Sequence, residues 1–382
     1  MAIEKSKLRE QLRFLDGLRG LAALYVLIHH ARWLLWEGYN VGYLAHPESY
    51  GTLQKLAMYA LSAFKFGHEA VLLFFVLSGF VIHLRYAIAI DNEGGEALFG
   101  FFGFLKRRIR RIYPPLLLAL VVTVGLDQFG MQWFSGLYEG STLYPSLNNN
   151  IPPEYSWLHL GGNLLFLMDI YTPVWGTNGP LWSLAYEWWF YMAYPLFFYV
   201  SRKNVWWPFF LLILLAVVAV QFPEVMGGVV LLKKIFSLMI IWWLGAFLAD
   251  VYVGRVKLSF GILSPFVIVL LLMPFEVIKA GPYDQHLWGL GFFGLFALLF
   301  YLQSKRIELT WLHRLKLLGD FSYSLYVLHM PLMVLGSAWL IQRNGQLPAH
   351  FGYVTAGIVA GLALGYLGYL IAERPVLKRK SK

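Results

Sequence analysis

The chain has 382 residues, of which 59% are hydrophobic and 14% charged, with a formal net charge of +10 and no cysteine. Such a composition is too apolar for a soluble domain of this length, and the missing thiols exclude disulfides, thiolate metal sites and a cysteine nucleophile. The positive charge is no argument for nucleic acid, because the basic residues sit in short loops between apolar runs, where they first set membrane topology.

Ten apolar segments succeed one another: 14–36, 66–88, 112–130, 180–200, 205–222, 230–252, 258–278, 285–303, 318–340 and 353–373. Each is long enough for a helix of roughly 17–25 residues to span a bilayer. The first is too long for a signal-peptide core and runs directly into bulky aromatics, so it reads as a span and not a cleavable leader. With a cytoplasmic N-terminus, the inside loops and tails hold 23 of the 31 Lys and Arg, the outside loops seven, and Arg19 is embedded. This asymmetry predicts an all-α polytopic membrane protein of about ten transmembrane helices with both termini cytoplasmic. Lys233 and Lys234 fall on the unfavoured side. Segment 157–172 is too short to cross and is expected to be re-entrant or interfacial, which requires burial by protein. No internal repeat or soluble domain is evident, so residues 1–382 read as one membrane-embedded domain with basic tails suited to an anionic inner leaflet.

The first span contains LRFLDGLRGLAALYVLIHH, Leu12 to His30. An arginine and two histidines inside a membrane helix are costly and point to function. Arg19 and His30 are eleven residues apart, three helical turns with about 20° left over, so they share one face roughly 16 Å apart. His29 falls about 80° from Arg19 and is the poorer partner. One end of that face carries a fixed cation and the other a group that exchanges a proton near neutral pH.

In the second span, FFVLSGFVIHLRY places Ser78 beside Gly79. The pair suits close helix packing and lacks the flanking glycine of a serine-hydrolase elbow. The third span opens on KRRIRRIYPP, Lys106 to Pro115, with five cations in six residues. Arg108 and Arg111 share a helix face, as do Arg107 and Arg110 or Arg111. Such a cluster serves either topology and lipid headgroups or the phosphates of a cofactor, for which the guanidinium fork is suited. The proline is expected in the first turn of the helix, where it is harmless.

GPLWSLAYEWWFYMAYP, Gly179 to Pro195, buries Glu187 among aromatics, with Ser183 four residues earlier on the same face and nothing nearby in the helix to neutralise the carboxylate. It is read as part of a site or as one half of a structural ion pair. In LLGDFSYSLYVLHMP, Leu317 to Pro331, Asp320 and Ser322 mark a helix start. His329 there, like His83, reads more readily as a hydrogen-bonded core histidine than as a catalyst. No metal-ligand spacing, Walker loop or dinucleotide-binding glycine pattern occurs.

Taken in order, LDGLRGLAALYVLIHH, FFVLSGFVI, RRIRRIYP, LWSLAYEWWFY, GDFSYSLYVLHMP and the AERP at 372–375 resemble the acyltransferase-3 family of multi-pass membrane O-acyltransferases over nearly the whole chain. The resemblance implies transfer of an acyl group, commonly acetyl, from cytoplasmic acyl-CoA to a hydroxyl of a cell-envelope or extracellular carbohydrate, in a bacterial cytoplasmic membrane. It matches Arg19 and His30 to an essential pair, Arg108 and Arg111 to a basic motif, and Glu187 to a WSLxxE motif. Combined with the residue reading, His30 is the expected general base, with Arg19 and Glu187 completing the catalytic group. Arg107, Arg108, Arg110, Arg111 and Tyr113 are expected at the acyl-CoA phosphates, and Trp182, Ser183, Ser78 and Tyr323 at the substrate. The expected partners are acyl-CoA as co-substrate, a carbohydrate acceptor and membrane lipids, with no metal, no permanently bound cofactor and no nucleic acid. Leu72 stands where relatives often carry an acidic residue, with Glu69 one turn earlier, and no hydrolase-like domain is appended.

Intramembrane Arg, His and Glu would also suit a proton-coupled secondary transporter, although the internal symmetry and paired broken helices common in carriers are not evident. A non-catalytic membrane subunit of a glycan-export complex is the third reading, and it makes His30 dispensable.

Overall fold

A computed structural model describes residues 12–92 and 99–378; parts of both basic tails and of the 84–111 loop lie outside the described residues. The principal helices are α1 (Phe14–Leu35), α2 (Thr52–Ser62), α3 (Gly67–Asn92), α4 (Phe101–Trp133), α5 (Trp157–Leu164), α6 (Trp182–Lys203), α7 (Trp206–Gln221), α8 (Val230–Val253), α9 (Asp284–Ser304), α10 (Ser322–Asn344) and α11 (Gly352–Gly368). Among the described residues there is no strand, only an isolated bridge between Met168 and Thr172. Six helical stretches among the described residues are long and apolar enough to cross a membrane, and Trp206–Gln221 and Phe260–Phe275 are shorter apolar helices. The protein is therefore an all-α membrane protein. Helices α1 and α6 have 22 residues each but are not among the six. Asp16, Arg19, His29, His30 and Arg32 in α1, and Glu187, Arg202, Lys203 and several Trp and Tyr in α6, lower their hydropathy.

Two boundaries differ from the sequence expectation in ways that matter. Helix α4 starts at Phe101, so the basic cluster lies within a 33-residue helix, and Pro114 and Pro115 sit in its interior, not its first turn. The 258–278 segment is broken into short helical pieces, two of which, Ser264–Phe266 and Met273–Phe275, carry the interrupting Pro265 and Pro274. Segment 157–172 contains only the eight-residue α5, too short to cross.

The chain divides into two compact units, one of Met1–Arg19, His68–Phe102 and Ser183–Lys316, the other of Gly20–Gly67, Gly103–Trp182 and Leu317–Lys382. In the first unit, α3 and α8 cross at Gly79 and Gly245. A methyl group on Gly79 would collide with the Trp242 carbonyl, and one on Gly245 with the Val76 carbonyl. Only glycine permits so close a backbone approach. Close by, His83 is fully buried between the Tyr194 hydroxyl on Nδ1 (2.8 Å) and Asp250 on Nε2 (3.1 Å). Asp250 also accepts from Arg255, whose other amino group donates to the Ser201 carbonyl at 2.7 Å. His83 is thus the hydrogen-bonded core histidine that its position suggests.

In the second unit, α11 packs Gly357, Gly361, Gly365 and Gly368 against Leu35, Leu27, Leu325 and Leu328, a stripe of small residues of the kind that brings membrane helices together. Ser324 Oγ donates to the buried Glu373 carboxylate at 2.9 Å, tying the AERP segment to α10. The irregular stretch after α5 is held by side chains: Asn163 donates to the His159 and Pro173 carbonyls and accepts from Trp175 N–H. Asp127 of α4 accepts from Tyr155 OH (2.6 Å), Thr177 N–H (2.9 Å) and Thr177 Oγ1 (2.7 Å). Burial, and then that carboxylate, hold the Tyr155 phenol above its ordinary range, so it stays a donor. Non-helical backbone is tolerable in a membrane protein only when satisfied in this way.

Candidate active site

Helix α1 is unbroken from Phe14 to Leu35, with Asp16 in its first turn and Arg32 in its last, both favourable to the helix dipole. Arg19 donates to Asp16 at 3.3 Å. Within the second unit, His30 Nδ1 lies 2.8 Å from Nε2 of His329 on α10, and the two rings are 5.0 Å apart. His329 Nδ1 lies 2.9 Å from the Leu325 carbonyl. A carbonyl only accepts, so the neutral His329 ring carries its proton on Nδ1 and presents a bare Nε2. His30 must then donate from Nδ1. Its own Nε2 then carries the lone pair of the neutral ring. His30 is only half-buried, whereas His329 is fully buried.

His29 is engaged differently. Its Nδ1 is 2.9 Å from the Phe64 carbonyl, and a methyl on Gly67 would overlap its ring, so it clamps the turn between α2 and α3. Gly20, in the LDGLRG motif, faces the backbone of Leu318 and Gly319, the latter 2.7 Å from where a Cβ would stand. Trp33 lies one turn beyond His30, with ring centroids 6.4 Å apart.

The basic cluster of α4 belongs to the same unit. Lys106 and Arg110 are exposed, while Arg107, Arg108 and Arg111 are half-buried, and the Arg108 guanidinium lies over the Phe104 ring at 5.6 Å. Tyr113 donates to the Leu164 carbonyl at 2.9 Å and packs edge-on against Phe166, so its hydroxyl is committed to holding the end of α5. Tyr323 reaches the Ile112 carbonyl at 3.3 Å, one residue beyond Arg111. Trp182 opens α6 and is half-buried.

Arg19, Ser78, Ser183 and Glu187 belong to the other unit. Tyr191, four residues after Glu187 on α6, donates to its carboxylate. The same hydroxyl is 3.0 Å from Ser78 Oγ, which also receives Trp242 Nε1 at 3.3 Å. Glu187 thus has a neutral hydrogen-bond donor within its own helix, which the sequence reading did not name. The i, i+4 spacing of Glu187 and Tyr191 could have revealed it. Ser183 is buried one turn before Glu187. That His329 neighbours His30 could not be read from sequence, since 299 residues separate them. Among the described residues no group of three or more His, Asp or Glu is arranged to hold a metal ion.

Comparison with known proteins places these motifs in context. Over its full length the chain is 24% identical to the O-acetyltransferase OatA of Staphylococcus aureus, spanning 59% of that protein. It is 27% identical over 197 residues to the acyltransferase MdmB of Streptomyces mycarofaciens, covering 50% of this chain and 42% of that one. A third relative, protein 2 of the picA locus of Rhizobium radiobacter, is 30% identical over 179 residues, covering 47% of this chain and 75% of the relative. The chain therefore spans about three-fifths of the length of the first of these. No solved structure matches. The acyltransferase-3 profile, described as an acyltransferase domain, matches residues 12–370, all but the ends of the chain, and on that match the chain belongs to the acyltransferase-3 family.

Proposed function

We propose that the chain is an acyl-CoA-dependent O-acyltransferase acting on carbohydrate hydroxyls, with residues 12–370 as one catalytic membrane domain and His30 as its general base. The observation that supports this reading most is the ordered histidine pair, which puts the lone pair of the half-buried His30 ring on Nε2. The acceptor O–H proton passes to that nitrogen as the oxygen attacks the thioester carbonyl. When the tetrahedral adduct collapses, the C–S bond breaks and the CoA sulfur takes the proton from His30. The acyl group ends on the sugar oxygen, and the imidazole returns to its starting tautomer.

Arg107, Arg108, Arg110 and Arg111 bind the donor phosphates in this scheme, with Tyr113 contributing its ring. Trp182, Ser183, Ser78 and Tyr323 serve the substrate, and Arg19 and Glu187 support the reaction. The name of the Staphylococcus aureus relative, an O-acetyltransferase, favours acetyl as the group transferred and a hydroxyl as its destination. Purified protein should release free CoA from acetyl-CoA only when a cell-envelope glycan is present. Release that ignores the acceptor, or none at all, would overturn the reading. Arg108→Gln with Arg111→Gln should raise the acyl-CoA KM at least about tenfold, since charged hydrogen bonds contribute about 1.5–3 kcal/mol each, with little change in kcat. A pantetheine thioester lacking the nucleotide should show no such rise. Equal losses with both donors would assign the arginines to folding.

The topology proposed is ten spans with both termini cytoplasmic, in the cytoplasmic membrane of a bacterium. It is supported by helical structure in the apolar segments, interrupted in 258–278, and by the charge asymmetry. The cysteine-free chain allows a direct check at exposed positions. Single cysteines at Asn149 and Asn344 should react with an impermeant thiol reagent added outside, whereas ones at Asn204 and Ser304 should not. Labelling at Asn204 from outside would mean that segment 157–172 crosses.

A further inference from the structure

Beyond the last turn of α1 lies an open cleft of about 270 Å³ whose lining includes Arg32, Trp33, Glu37, Asn40, Tyr144 and Ser146. It is walled by residues 32–41, 144–147 and Leu347, stretches that, Arg32 to Leu35 aside, mostly fall in loops assigned to the outer side by the distribution of Lys and Arg. The walls are fastened to one another. Leu347 N–H donates to Tyr144 OH at 2.8 Å, Trp33 Nε1 to Ser146 Oγ at 3.1 Å, and Glu37 N–H to the Pro348 carbonyl at 3.3 Å. The space is therefore held open by its own frame. Its volume, at the small end of ligand pockets, suits one ring and not an oligomer.

Two charged groups in that lining have unused hydrogen-bonding capacity. Glu37 is only 8% exposed. Its Oε1 accepts from Tyr50 OH at 2.6 Å, and that hydroxyl accepts from Trp36 Nε1 at 2.8 Å. Burial, and then donation to the carboxylate, push the Tyr50 phenol above its ordinary range, so Tyr50 remains a donor. Oε2 has no hydrogen bond among the described residues. Arg32 Nε is likewise buried without a partner among the described residues. A buried donor left in this state, as Arg32 Nε is, is costly and is normally satisfied by something.

The chemistry of that something is constrained. A phosphate would face the Glu37 carboxylate, a cation would face the Arg32 guanidinium, and an alkyl chain would leave both unpaired. A neutral polyhydroxylated ring satisfies both, donating one hydroxyl to Glu37 and accepting at another from Arg32, while its C–H face lies on an indole. Trp33, on the same helix as His30 and with its ring centroid 6.4 Å away, is common to the cavity and the catalytic surroundings. We infer that this cavity binds a sugar ring of the acceptor and presents it to His30. The inference rests on the acyl-transfer reading for its role in the reaction, but not for the binding itself.

Val41 lines the mouth and is 45% exposed, so Val41→Cys places a single thiol there in an otherwise cysteine-free chain. Its alkylation in detergent should slow several-fold in the presence of methyl hexopyranosides, tested as the gluco, galacto, manno and N-acetylglucosamine forms. The protection should vanish when Glu37→Gln is added. Glu37→Gln should raise the acceptor KM about tenfold, the effect of one hydrogen bond to a charged group, and Trp33→Phe, which shrinks the stacking face, should raise it too, with the acyl-CoA KM unchanged in both. Absence of protection by every hexoside, or an unchanged acceptor KM in both variants, overturns the assignment. Protection in a protein that transfers no acyl group would instead sustain the sugar site and overturn the catalytic reading.

Discussion

His30→Ala should lower kcat by at least about 10²-fold, the effect of losing a general base, while the protein still inserts and accumulates in the membrane. Single-turnover acyl transfer from acetyl-CoA to glycan, in detergent or vesicles, measures it. His329→Ala removes the acceptor that fixes the proton on His30 Nδ1. Partners that set a ring's tautomer and orientation are typically worth about 10–100-fold in metal sites, and a loss of that order is expected here, with an altered pH–rate profile. His29→Ala should keep most of kcat and lose about 1 kcal/mol of stability with its bond to the Phe64 carbonyl. Full activity in His30→Ala would place the acid–base chemistry elsewhere, with Glu187 the first residue to test.

The second large effect concerns stability. Asp250 is fully buried in the first unit and takes bonds from both His83 and Arg255. Asp250→Ala leaves a guanidinium and an imidazole without their acceptor, a loss of about 3–5 kcal/mol for a broken buried pair. Thermal unfolding in detergent should register a large fall in Tm. Replacing both charged partners, Asp250→Leu with Arg255→Met, should recover much of it, because an apolar pair carries no uncompensated charge. An unchanged Tm in Asp250→Ala would show that water or lipid reaches the site.

The helices themselves were largely legible. Apolar runs with turn residues between them fix where helices form, and 14–36 became Phe14–Leu35 with one residue's difference. What the pattern missed follows from locality. Helix α4 begins eleven residues before the apolar run, because Leu105 to Arg111 is good helix sequence without being membrane-like and hydropathy does not see it. The breaks at Pro265 and Pro274 were written in the sequence but lie inside a run apolar enough to look continuous. Of the candidate site, the composition and phase of α1 were readable from one helix. The pairing of His30 with His329, and the convergence of residues 32–41, 144–147 and 347 on one cavity, depend on tertiary contacts between distant segments that no local rule encodes.

The two prolines in α4 have a consequence for the membrane around the protein. Neither can donate a backbone hydrogen bond, so the carbonyls of Arg110 and Arg111 lose their usual partners one turn on, and the helix is weakened where its charge ends. From Pro115 to Trp133 the remaining helix is about 28 Å long at 1.5 Å per residue, close to the roughly 30 Å of a typical hydrocarbon core. The upper rod is thus a ruler, and the arginines stand at its zero mark. A thicker bilayer would draw them into hydrocarbon and a thinner one would lift them clear of the headgroups, each mismatch costing a fraction of a kcal/mol per ångström. Lipid chain length therefore becomes a variable of the basic end of α4, acting through the depth at which that helix floats.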